Sequence, residues 1–337
     1  MSAVNVSIPT IDVVSWEQIA QEFRDSDLLL GNGFSMMLSP VFGYHSLFEI
    51  FLNSLSPVEA AMFRRFGTTN FEAILERLKY ASEVNSILGL PVDPVNNASE
   101  SLKKGLIVAV QQNHPKADDV DKAHLTKISQ ELDQFGNIFT LNYDALLYQI
   151  IMISVDRYNT KKCEHPYQDY FWNSVDEDYL AFMNSQAYKH YKHVYYLHGA
   201  LFIFARETNT LKIRRTDGSD LLSRIETEIA HGHIPLFVSE GTSQEKELAI
   251  YRNYYLRFSN HYFRESRSKL VIYGVSFSSP DEHVVHSIRG STAQLAIAVR
   301  TSGKSEVEIQ QWCADASRKF PKTKIVFFDS STLFKEP

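Results

Sequence analysis

Short, nearly continuous apolar runs punctuate the chain at 27–30 (DLLL), 138–141 (IFTL), 194–197 (VYYL), 234–238 (IPLFV), 270–273 (LVIY), 295–299 (LAIAV) and 325–328 (IVFF). Runs of this length suit strands buried on both faces of a parallel sheet. Between them lie longer segments with helical spacing, as at Phe71, Ile74, Leu75 and Leu78. The alternation predicts an α/β fold with a doubly wound, mostly parallel sheet. Residues 44–134 depart from it, with only helix-like stretches broken by Pro57, Gly67, Pro91, Pro94 and Pro115. This interval reads as a helical insertion between the first two strands, because structureless loops of that length are uncommon. Residues 159–189, rich in Tyr, Asp and Asn, are expected to form an irregular surface lobe or lid. Residues 207–220 carry hairpin-like turn chemistry at Asp217-Gly218. No internal repeat divides the chain, so one domain over 1–337, with 44–134 inserted in it, is the expectation.

Composition narrows the class. At 337 residues, with 44% hydrophobic and 22% charged positions, the chain is ordinary globular material, neither collagen-like nor coiled coil. Lys and Arg total 34 against 40 Asp and Glu, a net of −6, which offers no general attraction to nucleic acid or anionic membrane. Two cysteines, Cys163 and Cys313, exclude both a disulfide scaffold and a four-cysteine zinc module. The N-terminus shows no basic leader before an apolar core, and the stretch at 145–153 is too short to span a bilayer. A cytoplasmic protein without membrane or direct nucleic-acid contact is expected.

Candidate chemistry gathers where predicted strands end. In LLLGNGFS a buried strand runs into Gly31-Asn32-Gly33, followed by Phe34 and Ser35. Glycine lets the backbone approach a ligand closely, and free N–H groups at the following helix start suit a diphosphate. The dinucleotide fingerprint is incomplete, since Met36 holds the third glycine position. In FTLNYD, Asn142 and Asp144 follow a strand, where open α/β sheets bind ligands; either residue could instead cap the next helix. In VYYLHGA, His198 follows a strand and precedes Gly199. In VIYGVSFSSPDEHV, Gly274 permits close approach and Ser276 offers a hydroxyl to a ribose or phosphate. The pairs His231/His233, Cys163/His165 and His283/His286 have no third ligand nearby in sequence, so no metal site is expected.

Together these motifs resemble the sirtuin-like NAD-consuming family, and more closely its bacterial anti-phage defence branch. Gly31-Asn-Gly-Phe-Ser35 is similar to the family's Gly-Ala-Gly-Ile-Ser loop. Asn142-Tyr-Asp144, with Thr140, is similar to its Thr-Gln-Asn-Ile-Asp element. His198-Gly199 is similar to its His-Gly, and Gly274-Val-Ser276 to its Gly-Thr-Ser turn. Leu141-Asn-Tyr-Asp144, with a late Gly-x-Ser followed by Asp281 and His283, carries the closer likeness. The resemblance implies a Rossmann-like fold that binds NAD+ as substrate through Gly31, Asn32, Gly33, Phe34, Ser35, Thr140, Asp144, Gly274 and Ser276. It implies Asn142 and His198 as the catalytic pair; the family's deacetylases carry a four-cysteine zinc module, which two cysteines cannot build, so no zinc is expected here. It implies an NAD+ glycohydrolase that releases nicotinamide and ADP-ribose in abortive infection, held silent until a trigger acts. The trigger is expected from homo-oligomerisation or from a regulatory partner such as an ATPase or a phage component. A non-catalytic NAD+- or ADP-ribose-sensing module and an ADP-ribosyltransferase are the alternatives.

Overall fold

The computed structural model describes residues 11–43, 47–69, 71–114, 120–184, 191–206, 209–214, 220–238, 242–265 and 267–335. Eight strands form one sheet: β1 (Val13–Val14), β2 (Asp27–Leu30), β3 (Ile138–Thr140), β4 (Tyr167–Gln168), β7 (Lys192–Tyr196), β11 (Arg267–Tyr273), β12 (Thr292–Val299) and β13 (Lys324–Asp329). Their order is β1-β13-β12-β11-β2-β3-β7-β4, and every neighbour pairing is parallel. β2 sits in the middle, with Leu28, Leu29 and Leu30 wholly buried, which is why its sequence shows no polar alternation. The chain lays β3 and β7 on one side of β2, then returns to lay β11, β12 and β13 on the other. Without the edge strands β1 and β4, this is the 3-2-1-4-5-6 order of Rossmann-type doubly wound sheets, whose ligand crevice opens where the order reverses. Here that point lies between β2 and β11.

A second, antiparallel sheet has the order β10-β8-β9-β6-β5, from β5 (Phe171–Ser174), β6 (Tyr179–Phe182), β8 (Gly199–Arg206), β9 (Asn209–Ile213) and β10 (Pro235–Phe237). The run at 234–238 therefore belongs to this sheet and not to the parallel one. Pro235 has no N–H to donate, which suits the edge position that β10 occupies. The run is apolar on both faces because Phe237 packs against Phe71 and Tyr143, at 5.6 and 5.3 Å between ring centroids. The expected irregular lobe at 159–189 is corrected as well: it holds β4, β5 and β6, although 185–189 lie outside the described residues. Phe171 and Phe182 bury against Tyr255, while the acidic turn at 175–178 hides the strand period in the sequence. β8 and β9 form a hairpin in which Arg206 pairs with Asn209, whereas Asp217-Gly218, where turn chemistry is expected from the sequence, lies outside the described residues.

Between β2 and β3 the described residues contain helices and no strand. The short α2 (Asn32–Leu38) is followed by α3 (Leu47–Ser54), α4 (Pro57–Phe66), α5 (Phe71–Ile87), α6 (Asp93–Asn113) and α7 (Lys122–Glu131). Pro57 opens α4 at a position whose N–H needs no helical partner, and Ser56 with Glu59 completes a capping box. Phe48, Phe51, Phe63 and Phe71 form one aromatic cluster that ties α3, α4 and α5 together. Four later helices bear on the site or its surroundings: α8 (Leu146–Thr160), α10 (Ser243–Arg252), α11 (Tyr254–Arg264) and α12 (Glu282–Arg289). No helix among the described residues is long and apolar enough to cross a membrane.

Candidate active site

β2 and β11 run side by side, so the loops that leave their carboxyl ends meet. Gly31 N–H donates to the Tyr273 carbonyl and Gly33 N–H to the Gly274 carbonyl, each at 2.9 Å. A Cβ on Gly33 would stand 2.6 Å from Gly274 Cα. Gly274 itself has φ +74°, and a Cβ there would come within 2.5 Å of Phe34 N. The glycines thus lock two backbones together at the switch point. This changes the role expected of the first loop. The Gly33 and Phe34 N–H groups serve the Gly274 and Gly31 carbonyls rather than standing free for a diphosphate.

Above this floor opens a cleft of about 1300 Å³, lined by Gly31, Asn32, Gly33, Asn142, Asp144, His198, Gly274 and Ser276 among others. That exceeds the ~300–1,000 Å³ of typical small-molecule pockets and has room for a dinucleotide. Phe34, Ser35 and Thr140, expected at the ligand, stand behind the wall. The Phe34 ring packs edge-on against Tyr273 and Phe334 in the core. Thr140 Oγ1 accepts the Asn142 N–H at 3.0 Å. Ser35 is wholly buried; its hydroxyl accepts from Asn142 Nδ2 at 2.8 Å and donates to Asp144 Oδ2 at 2.5 Å.

These bonds fix what Asn142 and Asp144 can offer. Asn142 Nδ2 also donates to the Gly31 carbonyl at 3.0 Å, so both amide hydrogens are committed within the protein. Among the described residues nothing donates to Oδ1, and this oxygen is the carboxamide's usable atom. Asp144 Oδ1 accepts the Leu146 N–H at 2.8 Å, so it satisfies one donor at the start of α8, whose N-cap is Ala145 rather than Asp144 or Asn142, while it also lines the cleft.

His198 reaches the same cleft from the end of β7. Its Nε2 faces His283 Nε2 at 2.9 Å, with the rings stacked 26° from parallel. Burial, His283 and Lys246 hold the His198 pKa well below the ordinary value, against a hydrogen bond to the Leu141 backbone that favours the charged form. Burial also lowers His283, to about 4, with Lys246 and Arg264 acting in the same direction and Asp281 opposing them. Both rings are therefore neutral near pH 7. In the unfolded chain each takes up a proton below about pH 6.5. The stability this pair contributes is thus complete above about 6.5 and is lost as pH falls toward about 4. Denaturant melts between pH 7 and 5 should lose up to about 1.4 kcal/mol per pH unit for each such histidine, and His283→Gln should flatten that slope.

Several residues on this cleft carried no motif. Lys246, on α10, pairs with Asp281 at 2.9 Å, and both line the cleft; nothing local in the sequence of α10 marks the lysine. Arg300 and Lys304 line it too, and Arg300 directly follows β12, so the strand-end rule used for His198 applies to it equally. His283, weighed from the sequence as half of a metal pair and as part of the late Gly-x-Ser motif, is the ring partner of His198. Its sequence neighbour His286 turns to Glu282 instead, at 3.5 Å. Among the described residues no group of three or more His, Cys, Asp or Glu is placed to hold a metal ion. Lys246 is a lesser cause of the His283 shift than burial, so Lys246→Met should raise the His283 pKa above about 4 in an NMR titration while leaving it below the ordinary value.

Fold and site together define a doubly wound α/β protein with a polar cleft at its topological switch point. The chain belongs to the family described as Domain of unknown function (DUF4917), whose model matches residues 28–333, from β2 to just beyond β13. No curated protein matches it.

Proposed function

We propose that the chain is a sirtuin-like NAD+ glycohydrolase that cleaves the nicotinamide–ribose bond to give nicotinamide and ADP-ribose. The observation that carries this reading is the convergence of Asn142, Asp144 and His198, from two strand ends far apart in sequence, on a dinucleotide-sized cleft floored by Gly31, Gly33 and Gly274. The bond is already primed, because nicotinamide leaves as a neutral base from a cationic nitrogen and needs no general acid. The site's task is to hold the ribose as positive charge develops on it and to place water beneath the anomeric carbon. Asn142 Oδ1 suits a ribose hydroxyl or that water as acceptor. His198, neutral at working pH, suits removal of the water proton. Without a zinc module to shape an acyl-lysine groove, water is the acceptor this reading favours over a peptide.

The engagement of both Asn142 amide hydrogens and of His198 Nε2 within the protein favours a resting state, in keeping with an enzyme silent until triggered in antiviral defence. In this reading residues 44–134 act as a helical insertion within one domain, and oligomerisation or a regulatory ATPase or phage component opens the site in the cytoplasm. The same closure is the observation that favours the alternative, a module that senses NAD+ or ADP-ribose without turnover. Incubating purified protein with NAD+ and detecting nicotinamide separates the two. Release that depends on Asn142 and His198 supports the hydrolase, and tight binding without release supports the sensor.

A further inference from the structure

The cleft does not end at the switch point. It runs on past the carboxyl ends of β11 and β12, where Ser276, Arg300, Ser302 and Lys304 line it. On the hydrolase reading above, on which this rests, the nicotinamide ribose sits over β3 and β7. The adenosine half then lies across the switch point, over β11 and β12. β12 is three strands from β3 in the sheet. At about 4.8 Å per strand that is about 14 Å, which places Arg300 with the adenosine and away from the cleaved bond. The charges there are uneven. Arg300 makes no ion pair or side-chain hydrogen bond among the described residues. Lys304 makes none either, and Glu308 beside it is taken up by the Ser305 N–H and hydroxyl at 2.8 and 2.6 Å. The carboxylates at these strand ends are engaged. Asp281 pairs with Lys246 at 2.9 Å. Asp329 accepts the Thr301 hydroxyl at 2.8 Å and the Ser331 N–H and hydroxyl, each at 2.9 Å.

We propose that Arg300 and Lys304 form a subsite for a phosphate on the adenosine ribose, so that the cleft takes the 2′-phosphorylated dinucleotide, NADP+, in preference to NAD+. A bare ribose diol donates hydrogen bonds and is met in doubly wound folds by a carboxylate, whereas a 2′-phosphate only accepts them and is met by a cation. Here the carboxylates Asp281 and Asp329 are committed and the cations are not. The planar guanidinium of Arg300 suits two phosphate oxygens at once, and Lys304 adds a point charge. Ser276 and Ser302 line the same stretch and have hydroxyls to donate. Both cations stand exposed at the rim, so holding their charge ready for a ligand carries no burial cost. The diphosphate that both dinucleotides share crosses at the switch point, between β2 and β11 and so a strand short of Arg300. Trp312, on the helix that follows (Glu306–Lys319), puts a half-buried ring on the same wall as a surface for the base.

Calorimetry on the full chain compares adenosine 2′,5′-bisphosphate with 5′-AMP, two probes that differ only in the 2′-phosphate. Wild type is expected to bind the bisphosphate at least about tenfold more tightly, the worth of charge-assisted hydrogen bonds to one phosphate. Arg300→Gln should cut that ratio to within about threefold, and Lys304→Gln should remove a smaller part of it. Both positions are exposed, so neither variant threatens the fold. Equal binding of the two probes by wild type, binding of neither, or a ratio that survives in both variants overturns the subsite. A loss in Arg300→Gln shared equally by the two probes also overturns it, and assigns the arginine to the 5′-phosphate. Turnover gives a separate readout, since kcat/KM for nicotinamide release should be higher for NADP+ than for NAD+ by at least about tenfold. Release at equal kcat/KM overturns the NADP+ preference while the hydrolase reading stands. Preferential binding of the bisphosphate, with no nicotinamide released from either dinucleotide, overturns the hydrolase reading while the subsite stands.

Discussion

Alanine at Asn142 is expected to lower nicotinamide release by about 10²–10³-fold, and alanine at His198 by about 10²–10⁴-fold. The two losses have different origins. Asn142→Ala removes Oδ1 from the cleft and also unties Gly31 and Ser35, to which Nδ2 donates. Ser35→Ala separates these effects, because it breaks the bonds to Asn142 and Asp144 without deleting a group that lines the cleft. A loss in Ser35→Ala well below that in Asn142→Ala assigns the remainder to Oδ1. His198→Ala deletes the base and leaves His283 without its partner, so its kcat should fall at every pH. Measured turnover is nicotinamide release at saturating NAD+, with circular dichroism confirming the fold. Unchanged turnover in His198→Ala removes the mechanism as written.

Gly199→Ala is expected to destabilise the protein by about 2–5 kcal/mol. Gly199 has φ +74°, in the region where a side chain clashes with its own backbone, at about 1–2 kcal/mol. The larger problem is its neighbour. A Cβ there would sit 2.0 Å from the Leu236 carbonyl oxygen, because β10 crosses directly opposite, with Phe237 paired to Gly199. Backbone cannot swing aside as a flexible side chain does, so the strand pair must separate. Gly303→Ala isolates the two contributions, since Gly303 shares φ +74° but nothing lies within 4 Å of its added Cβ. That variant should lose only the backbone cost, about 1–2 kcal/mol. Equal midpoints for the two variants in denaturant melts would refute the steric account. The His198 carbonyl accepts the Val238 N–H at 2.7 Å on the same strand pair, so Gly199→Ala should also weaken the placement of His198. The His-Gly pair therefore joins a cleft residue to the point where the two sheets meet.

The helices between β2 and β3 were legible because their breakers act locally: Pro57 starts α4 and Gly67 follows its end. Strands β5 and β6 were not, since their burial comes from Tyr255 and Phe258 on α11, more than seventy residues downstream. The six inner parallel-sheet strands, unlike the two-residue edge strands β1 and β4, were legible for the opposite reason. Layers cover both of their faces, and the demand for apolar side chains leaves an unbroken run in the sequence. The run at 234–238 has the same signature yet pairs antiparallel, because run length reports burial and not the direction of a partner. The gathering of cleft residues at strand ends was likewise readable, because a strand that stops in an open α/β sheet stops at its ligand-binding edge.

By itself the sequence determined the α/β alternation, the strand ends where polar residues collect, and the glycines that permit close approach. These are consequences of local periodicity and of the space a single residue occupies. Only the tertiary structure decided which of those residues face the cleft and which brace it. Ser35, Thr140 and Phe34 are indistinguishable from ligand contacts in the chain, and became supports once partners from distant segments took their hydrogen bonds or packed their rings. His283 moved the other way, from half of a discarded metal pair to the partner of His198. Hydrogen-bond capacity is local chemistry, but whether a group is satisfied depends on what the fold brings within about 3 Å of it.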